Sequence, residues 1–262
     1  MRIKLTLEKM GSASLIPINY NYELSAWIYS RIRQADEEYA DFLHNRGYSL
    51  TTNSISAGKQ FKFFTFSALQ MKGKPEGDRL QLQTDEARLV VSFLVEEASE
   101  KFIMGLFEKQ ELQLGDKISQ VDFRVKQVES LPWQLIEERV RFRTISPLTV
   151  SRKNERGLDD YLPPDDVDFT GLLLRNLLDK YVATGREVPA SWQDYPFDFT
   201  VLTREPRAKL ITLKAHTRQQ TRVKGYLFDF ELTAPMPLLE IAYLAGLGRY
   251  NAEGFGCVEI LE

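Results

Sequence analysis

GLGRYNAEGFG, residues 246–256, joins the apolar run PLLEIAYLA to the short alternating segment CVEIL. The run before it has helical character and the segment after it reads as a strand, so the glycines lie in a helix-to-strand connection. Dinucleotide-binding and P-loop motifs have the opposite order, strand first and helix second, and the latter also ends in Gly-Lys-Ser/Thr; this loop matches neither. A tight helix-to-strand connection usually needs a single glycine. Gly246, Gly248, Gly254 and Gly256 together would let backbone N–H groups come close to phosphates, with Arg249 adding charge.

Outward from that loop, FDFTVL (197–202), AKLITLK (208–214) and VKGYLFDFEL (223–232) read as strands. Residues 166–182 place Phe169, Leu172, Leu173, Leu177 and Tyr181 at helical spacing, while RVRFRTIS (139–146) and PLTVSR (147–152) are extended. NERGLDDYLPPDD (154–166), with paired prolines and several acids, is expected as an exposed connection.

The first half has the same order. Ile3, Leu5 and Leu7 alternate with polar residues as an opening strand that Pro17 and Asn19 end. Leu24, Trp27, Ile28 and Ile32 then mark one face of a helix, and Asp36-Glu37-Glu38 starts a second short helix carrying Tyr39, Phe42 and Leu43, stopped by Gly47. FKFFTFSALQM (61–71) reads as a strand, followed by strands near 80–83 and 88–95. A helix over 96–109 carries Ala98, Phe102, Ile103, Leu106 and Phe107 on one face, and 111–130 alternate as a long strand or bent pair of strands. Strand, helix, strand, strand, helix, strand, twice over, predicts an α+β protein of two tandem ferredoxin-like (βαββαβ) domains. The boundary falls near Leu131-Pro132, giving units 1–131 and 132–262.

The 262 residues are 43% hydrophobic and 27% charged, the mixture of an ordinary globular protein. One cysteine, Cys257, excludes an intramolecular disulfide, and no Cys/His spacing suggests a zinc site, so neither metal nor cofactor is expected. The amino-terminus lacks a signal-peptide core and no run reaches membrane-spanning length; a cytoplasmic protein is expected. A net charge of −3 argues against a nonspecific nucleic-acid coat, yet basic charge is concentrated in the second half. Arg204, Arg207, Lys209, Lys214, Arg218, Arg222 and Lys224 share a stretch with only Glu205 opposing them, and Arg139, Arg141, Arg143, Arg152, Lys153 and Arg156 form another group.

His44 and His216 are the only histidines, so neutral-pH proton transfer has few candidates. His44 ends the short helix, where the partial negative charge of the terminus favours imidazolium; the plainer account is a surface cap. Tyr29 projects away from the buried face of its helix, near Tyr22 and Arg33, and either serves chemistry or packs at the core edge. Lys62 leads the aromatic strand, where a cation either guards an edge or stabilises a phosphate carrying developing charge. His216 falls in the basic stretch, either stacked on a base or solvated.

GLGRYNAEGFG and the strand after it resemble the glycine-rich signature of the RAMP superfamily. IPINYNYELSAWIYSRI (16–32), FLHNRGY (42–48), KFFTFS (62–67), SPLTV (146–150) and RNLLDKY (175–181) resemble, in order, segments of its Cas-six family of CRISPR-associated endoribonucleases. The resemblance spans nearly the full length. It implies metal-independent cleavage of CRISPR repeat RNA (pre-crRNA), with a helix tyrosine, a histidine after the second helix and a lysine leading the next strand matching Tyr29, His44 and Lys62. The lysine match requires an extra stretch, SLTTNSISAG (49–58), so Lys59 or Arg46 are alternatives for the cation. The implied reaction is attack of a 2′-hydroxyl on the adjacent phosphate, leaving a 2′,3′-cyclic phosphate and a 5′-hydroxyl. The 204–224 stretch, as a hairpin including His216, and the glycine loop would hold the RNA. Other CRISPR effector subunits or a second copy of the chain are further possible partners. The rival reading is a non-catalytic RAMP subunit that holds guide RNA.

Overall fold

The computed structural model describes residues 1–50, 58–133 and 137–261. Its five-stranded sheet runs Phe64–Phe66, Glu86–Phe93, Arg2–Met10, Gln120–Ser130, Glu111–Gly115, with every neighbouring pair antiparallel. Alternation in the opening strand buries Ile3, Leu5 and Leu7. They share a core with Leu24, Ile28 and Ile32 of helix α1 (Asn21–Ala35) and with Phe102 and Leu106, which lie beyond the short α2 (Glu37–Asp41) on α3 (Glu96–Glu108). Trp27 and Phe102 meet edge to face, 5.7 Å between ring centres.

The second sheet has four strands, Asp198–Val201, Asp229–Thr233, Arg139–Thr144 and Val258–Ile260, again all antiparallel. Helices α4 (Phe169–Ala183) and α5 (Met236–Ala245) bury Phe169, Leu173, Leu177, Leu238, Leu239 and Ala242 in its core. Separate from both sheets, Arg207–Leu213 and Thr221–Leu227 pair as a two-stranded hairpin.

Four expectations from the sequence need adjustment. The aromatic segment is not one strand: Gln60–Phe61 pairs with Tyr48–Ser49, Phe64–Phe66 joins the main sheet, and Phe63 between them has φ +52°. VKGYLFDFEL also divides, because Phe228 turns its N–H to Thr144 Oγ1 and the pairing passes from the hairpin to the sheet. Residues 111–130 form a hairpin of Glu111–Gly115 and Gln120–Ser130. Phe107 is 69% exposed, since one helical step of about 100° beyond buried Leu106 carries it to the solvent side of α3. Of the extra stretch 49–58, residues 51–57 lie outside the described residues.

Buried polar bonds join the two halves of the chain. Arg2, 2% exposed, donates to the carbonyls of Tyr243 and Val258. Ser92 Oγ donates to the Tyr243 carbonyl and Thr65 Oγ1 to that of Phe255. Satisfying these groups across the join avoids the cost of burying them alone, about 1–3 kcal/mol each.

Candidate active site

The join opens into a cleft of about 600 Å³ whose walls include Tyr29, His44 and Lys62 from the first half and Gly248–Glu253 from the second. His44 reaches it through an unusual turn. After α2 the chain widens into one π-helical turn, Phe42–Arg46, closed by the Gly47 N–H donating to the Phe42 carbonyl at 2.7 Å. Such turns displace side chains from ordinary helical positions. The His44 ring is exposed, its Nδ1 lies 3.1 Å from Asn45 Oδ1, and its centre lies 5.1 Å from that of Tyr29, edge on.

Tyr29 also meets Phe64, 5.4 Å away and edge on. Tyr29 therefore packs at the core edge, and it also lines the cleft. Burial, helped by the negative charge of Glu253, raises its hydroxyl well above the ordinary tyrosine value.

The three possible cations separate by geometry. Lys62 sits at the break between the two strand pieces, with Nζ donating to the His44 carbonyl at 2.8 Å, and burial lowers its ammonium below the usual lysine value. Lys59 is paired with Asp179 of α4 at 2.7 Å. Arg46 lies over the Phe42 ring, 5.6 Å from its centre, and lines a different hollow. Of the three, Lys62 is the one whose side chain is hydrogen-bonded to His44 among the described residues.

The glycine loop is fixed mainly by contacts with the rest of the protein. A Cβ on Gly254 would come 2.4 Å from the Phe66 ring, and one on Gly256 would come 1.9 Å from the Leu247 carbonyl. Both also have positive φ, +79° and +69°, so glycine is required twice over. Gly246 and Gly248 are buried too. The N–H groups of Leu247, Arg249, Gly254 and Gly256 all donate within the protein, so here the loop turns side chains toward the cleft. Arg249 is bonded to Ser151 and Asp159.

Lys180 of α4, not among the expected site residues, anchors the loop. It is 2% exposed and donates to Gly246 O (2.6 Å), Gly248 O (3.1 Å) and Asn251 Oδ1 (2.7 Å). Burial pulls its amine down to about 7. Its signal in the sequence was a lysine at helical spacing with Leu173, Leu177 and Phe169, on the apolar face.

The two basic groups have different surroundings. Arg139 and Arg141 pair with Glu231, Arg143 with Asp229, Arg152 with Asp160, Asp166 and Asp168, and Lys153 with Asp159. No ion pair among the described residues involves Arg204, Arg207, Lys209, Lys214, Arg218, Arg222 or Lys224. These line the hairpin and its approaches, and His216 lies in its connecting turn with φ +62°. The hairpin meets the loop through Leu213, Val223 and Phe255, which pack together, and meets α1 where Lys214 lies over the Tyr22 ring, 5.7 Å from its centre.

Fold and site together describe a two-sheet α+β protein with an imidazole, a phenol and an amine gathered at its join. The family model described as CRISPR associated protein Cas6, C-terminal, matches residues 126–260, and that for the CRISPR-associated protein Cas6 N-terminal region matches 15–129. The chain belongs to the Cas6 family. It is 31% identical to CRISPR-associated endoribonuclease Cas6 1 of Methanocaldococcus jannaschii, over all of this chain and 93% of that protein. A solved CRISPR associated protein Cas6 is 30% identical with a TM-score of 0.74, covering 100% of this chain and 99% of the other. A RAMP protein described as binding different RNA substrates superposes with a TM-score of 0.79 at 21% identity over the whole of both chains, a likeness of fold.

Proposed function

We propose that this chain is an endoribonuclease that cuts CRISPR repeat RNA by attack of the RNA's own 2′-hydroxyl on the neighbouring phosphate. The products carry a 2′,3′-cyclic phosphate and a 5′-hydroxyl. Because the nucleophile belongs to the substrate, the reaction needs neither a covalent enzyme intermediate nor a metal-activated water. The observation that carries this reading is the meeting of His44, Tyr29 and Lys62 in one cleft with the glycine loop.

In this reading His44 transfers a proton, Tyr29 orients the reacting group, and Lys62 offsets charge on the phosphorane. The unpaired basic hairpin holds the RNA backbone beside the cleft, with Arg218, Arg222 and Lys224 among its contacts. The strand orders support two ferredoxin-like units, because in each sheet the first strand of the unit lies between its third and fourth, with the second at the edge. We place their boundary at Leu131-Pro132 and the working compartment in the cytoplasm. No described helix is long and apolar enough to cross a membrane.

The test is incubation of purified protein with its repeat RNA in excess EDTA, followed by mapping of the product ends. Cyclic phosphate and 5′-hydroxyl ends are expected. Ends bearing a 3′-hydroxyl and a 5′-phosphate would overturn the reaction class, and tight binding without cleavage would leave a non-catalytic RNA holder.

A further inference from the structure

The transesterification moves two protons: one leaves the attacking 2′-hydroxyl, and one joins the 5′-oxygen as its bond to phosphorus breaks. His44 can handle one of them. Tyr29 is a poor acceptor for the other, because burial and the charge of Glu253 make its phenolate hard to form. The Lys180 amine is engaged by three oxygens. Lys62 donates to the His44 carbonyl.

Glu253 lies on the same cleft wall, and its Oε2 is buried without any hydrogen-bond partner. Its backbone is firmly placed. The Glu253 N–H donates to the Tyr250 carbonyl at 2.9 Å, and its own carbonyl accepts from Asn21 Nδ2 at 3.1 Å. Ser25 Oγ holds the preceding Ala252 carbonyl at 2.8 Å. The backbone that carries this side chain is thus tied to α1, and a buried carboxylate oxygen without a partner is a group awaiting a donor.

The charged and titratable groups around it come from several elements. Tyr29 faces it from α1 and Lys214 from the hairpin, while His44, Lys59, Lys62, Lys153, Lys180, Arg249 and Tyr250 share the cleft. Burial pushes the Glu253 carboxyl up to about 7, with Lys214 opposing the rise. A base titrating near neutrality combines useful ionisation with useful basicity.

We propose that Glu253 is the general base of RNA cleavage. Resting on the transesterification reading above, its carboxylate takes the 2′-hydroxyl proton as the 2′-oxygen bonds to phosphorus. The His44 imidazolium gives its proton to the departing 5′-oxygen. The step leaves a cyclic phosphate, a 5′-hydroxyl, a neutral carboxylic acid and a neutral imidazole, and proton exchange with water restores both groups.

The test is the single-turnover cleavage rate at saturating protein from about pH 5 to about pH 9 for wild type, Glu253→Gln, Glu253→Asp and His44→Ala. The wild-type profile is expected to be bell-shaped. Glu253→Gln, nearly isosteric, should be about 100- to 10,000-fold slower and lose the acidic limb. Glu253→Asp should retain a displaced acidic limb at an intermediate rate, and His44→Ala should lose the alkaline limb. A Glu253→Gln rate within about threefold of wild type, or a slow variant whose acidic limb is intact, would overturn the assignment. Absence of cyclic phosphate ends from wild type would instead bring down the transesterification reading and this proposal with it.

Discussion

Replacing His44 by alanine should separate chemistry from everything else the chain does. The side chain is exposed, and its contacts are the Asn45 amide and the edge of Tyr29. The bond from Lys62 goes to the His44 carbonyl, which alanine retains. An exposed substitution of this kind changes stability by no more than about 0.5 kcal/mol, so the midpoint of thermal unfolding should move by about 1–2 °C at most. Loss of a general acid or base costs about 100- to 10,000-fold in rate, equivalent to about 2.7–5.5 kcal/mol of activation free energy. Single-turnover cleavage of the repeat RNA at saturating His44→Ala protein should show that loss, while a filter-binding titration gives an affinity within about twofold of wild type. Cleavage within about threefold of wild type would remove His44 from the mechanism. Equal losses of affinity and rate would make it a binding residue.

Other perturbations follow from the same geometry. Lys62→Ala should slow cleavage about 100- to 1,000-fold in the same assay, because the proposed mechanism uses this cation to offset charge on the phosphorane. Lys59→Ala, which takes a half-exposed lysine from the buried Asp179 and leaves that acid its pair with Arg175, should leave the rate within a few-fold. Neutralising Arg218, Arg222 and Lys224 together should weaken RNA binding and flatten the slope of log affinity against log salt by about 2, measured across a salt series, with little change in cleavage at saturating protein. Lys180→Met leaves three buried oxygens without donors, and a loss of about 3 kcal/mol or more should lower the unfolding midpoint by roughly 6–12 °C in calorimetry. Glu253 binds its proton more tightly folded than unfolded, so it destabilises the fold as pH rises from its ordinary carboxylate range through about 7. Glu253→Gln should therefore raise the unfolding midpoint at pH above that window and have little effect below it.

Much of the fold was readable because the apolar periods are clean. Ile3, Leu5 and Leu7 alternate, and Leu24, Ile28 and Ile32 recur at helical spacing; each set is buried as its period requires. Boundaries were harder where one apolar run serves two partners. KFFTFS and VKGYLFDFEL look continuous, and their breaks at Phe63 and Phe228 are set by which sheet each half joins. His44 and Tyr29 could be singled out from their helical positions, yet their 5.1 Å meeting depends on the π-helical turn, which has no clear local signature. Lys180 and Glu253 were missed because a lysine on an apolar helix face and an acid inside a glycine loop acquire their character only from burial. The paired state of Arg139 and Arg141 was likewise hidden, since Glu231 is remote in sequence and adjacent only in the sheet.

The aromatic segment around Lys62 has an outcome for how the molecule melts. Phe61 and Phe63 insert into the interior of the carboxy-terminal half, whereas Phe64 and Phe66, a few residues on, fill that of the amino-terminal half. Neither interior can come apart without withdrawing rings from the same short length of backbone. Heating should thus produce one cooperative transition, and the lysine held at this crossing keeps its place only while both interiors stay intact.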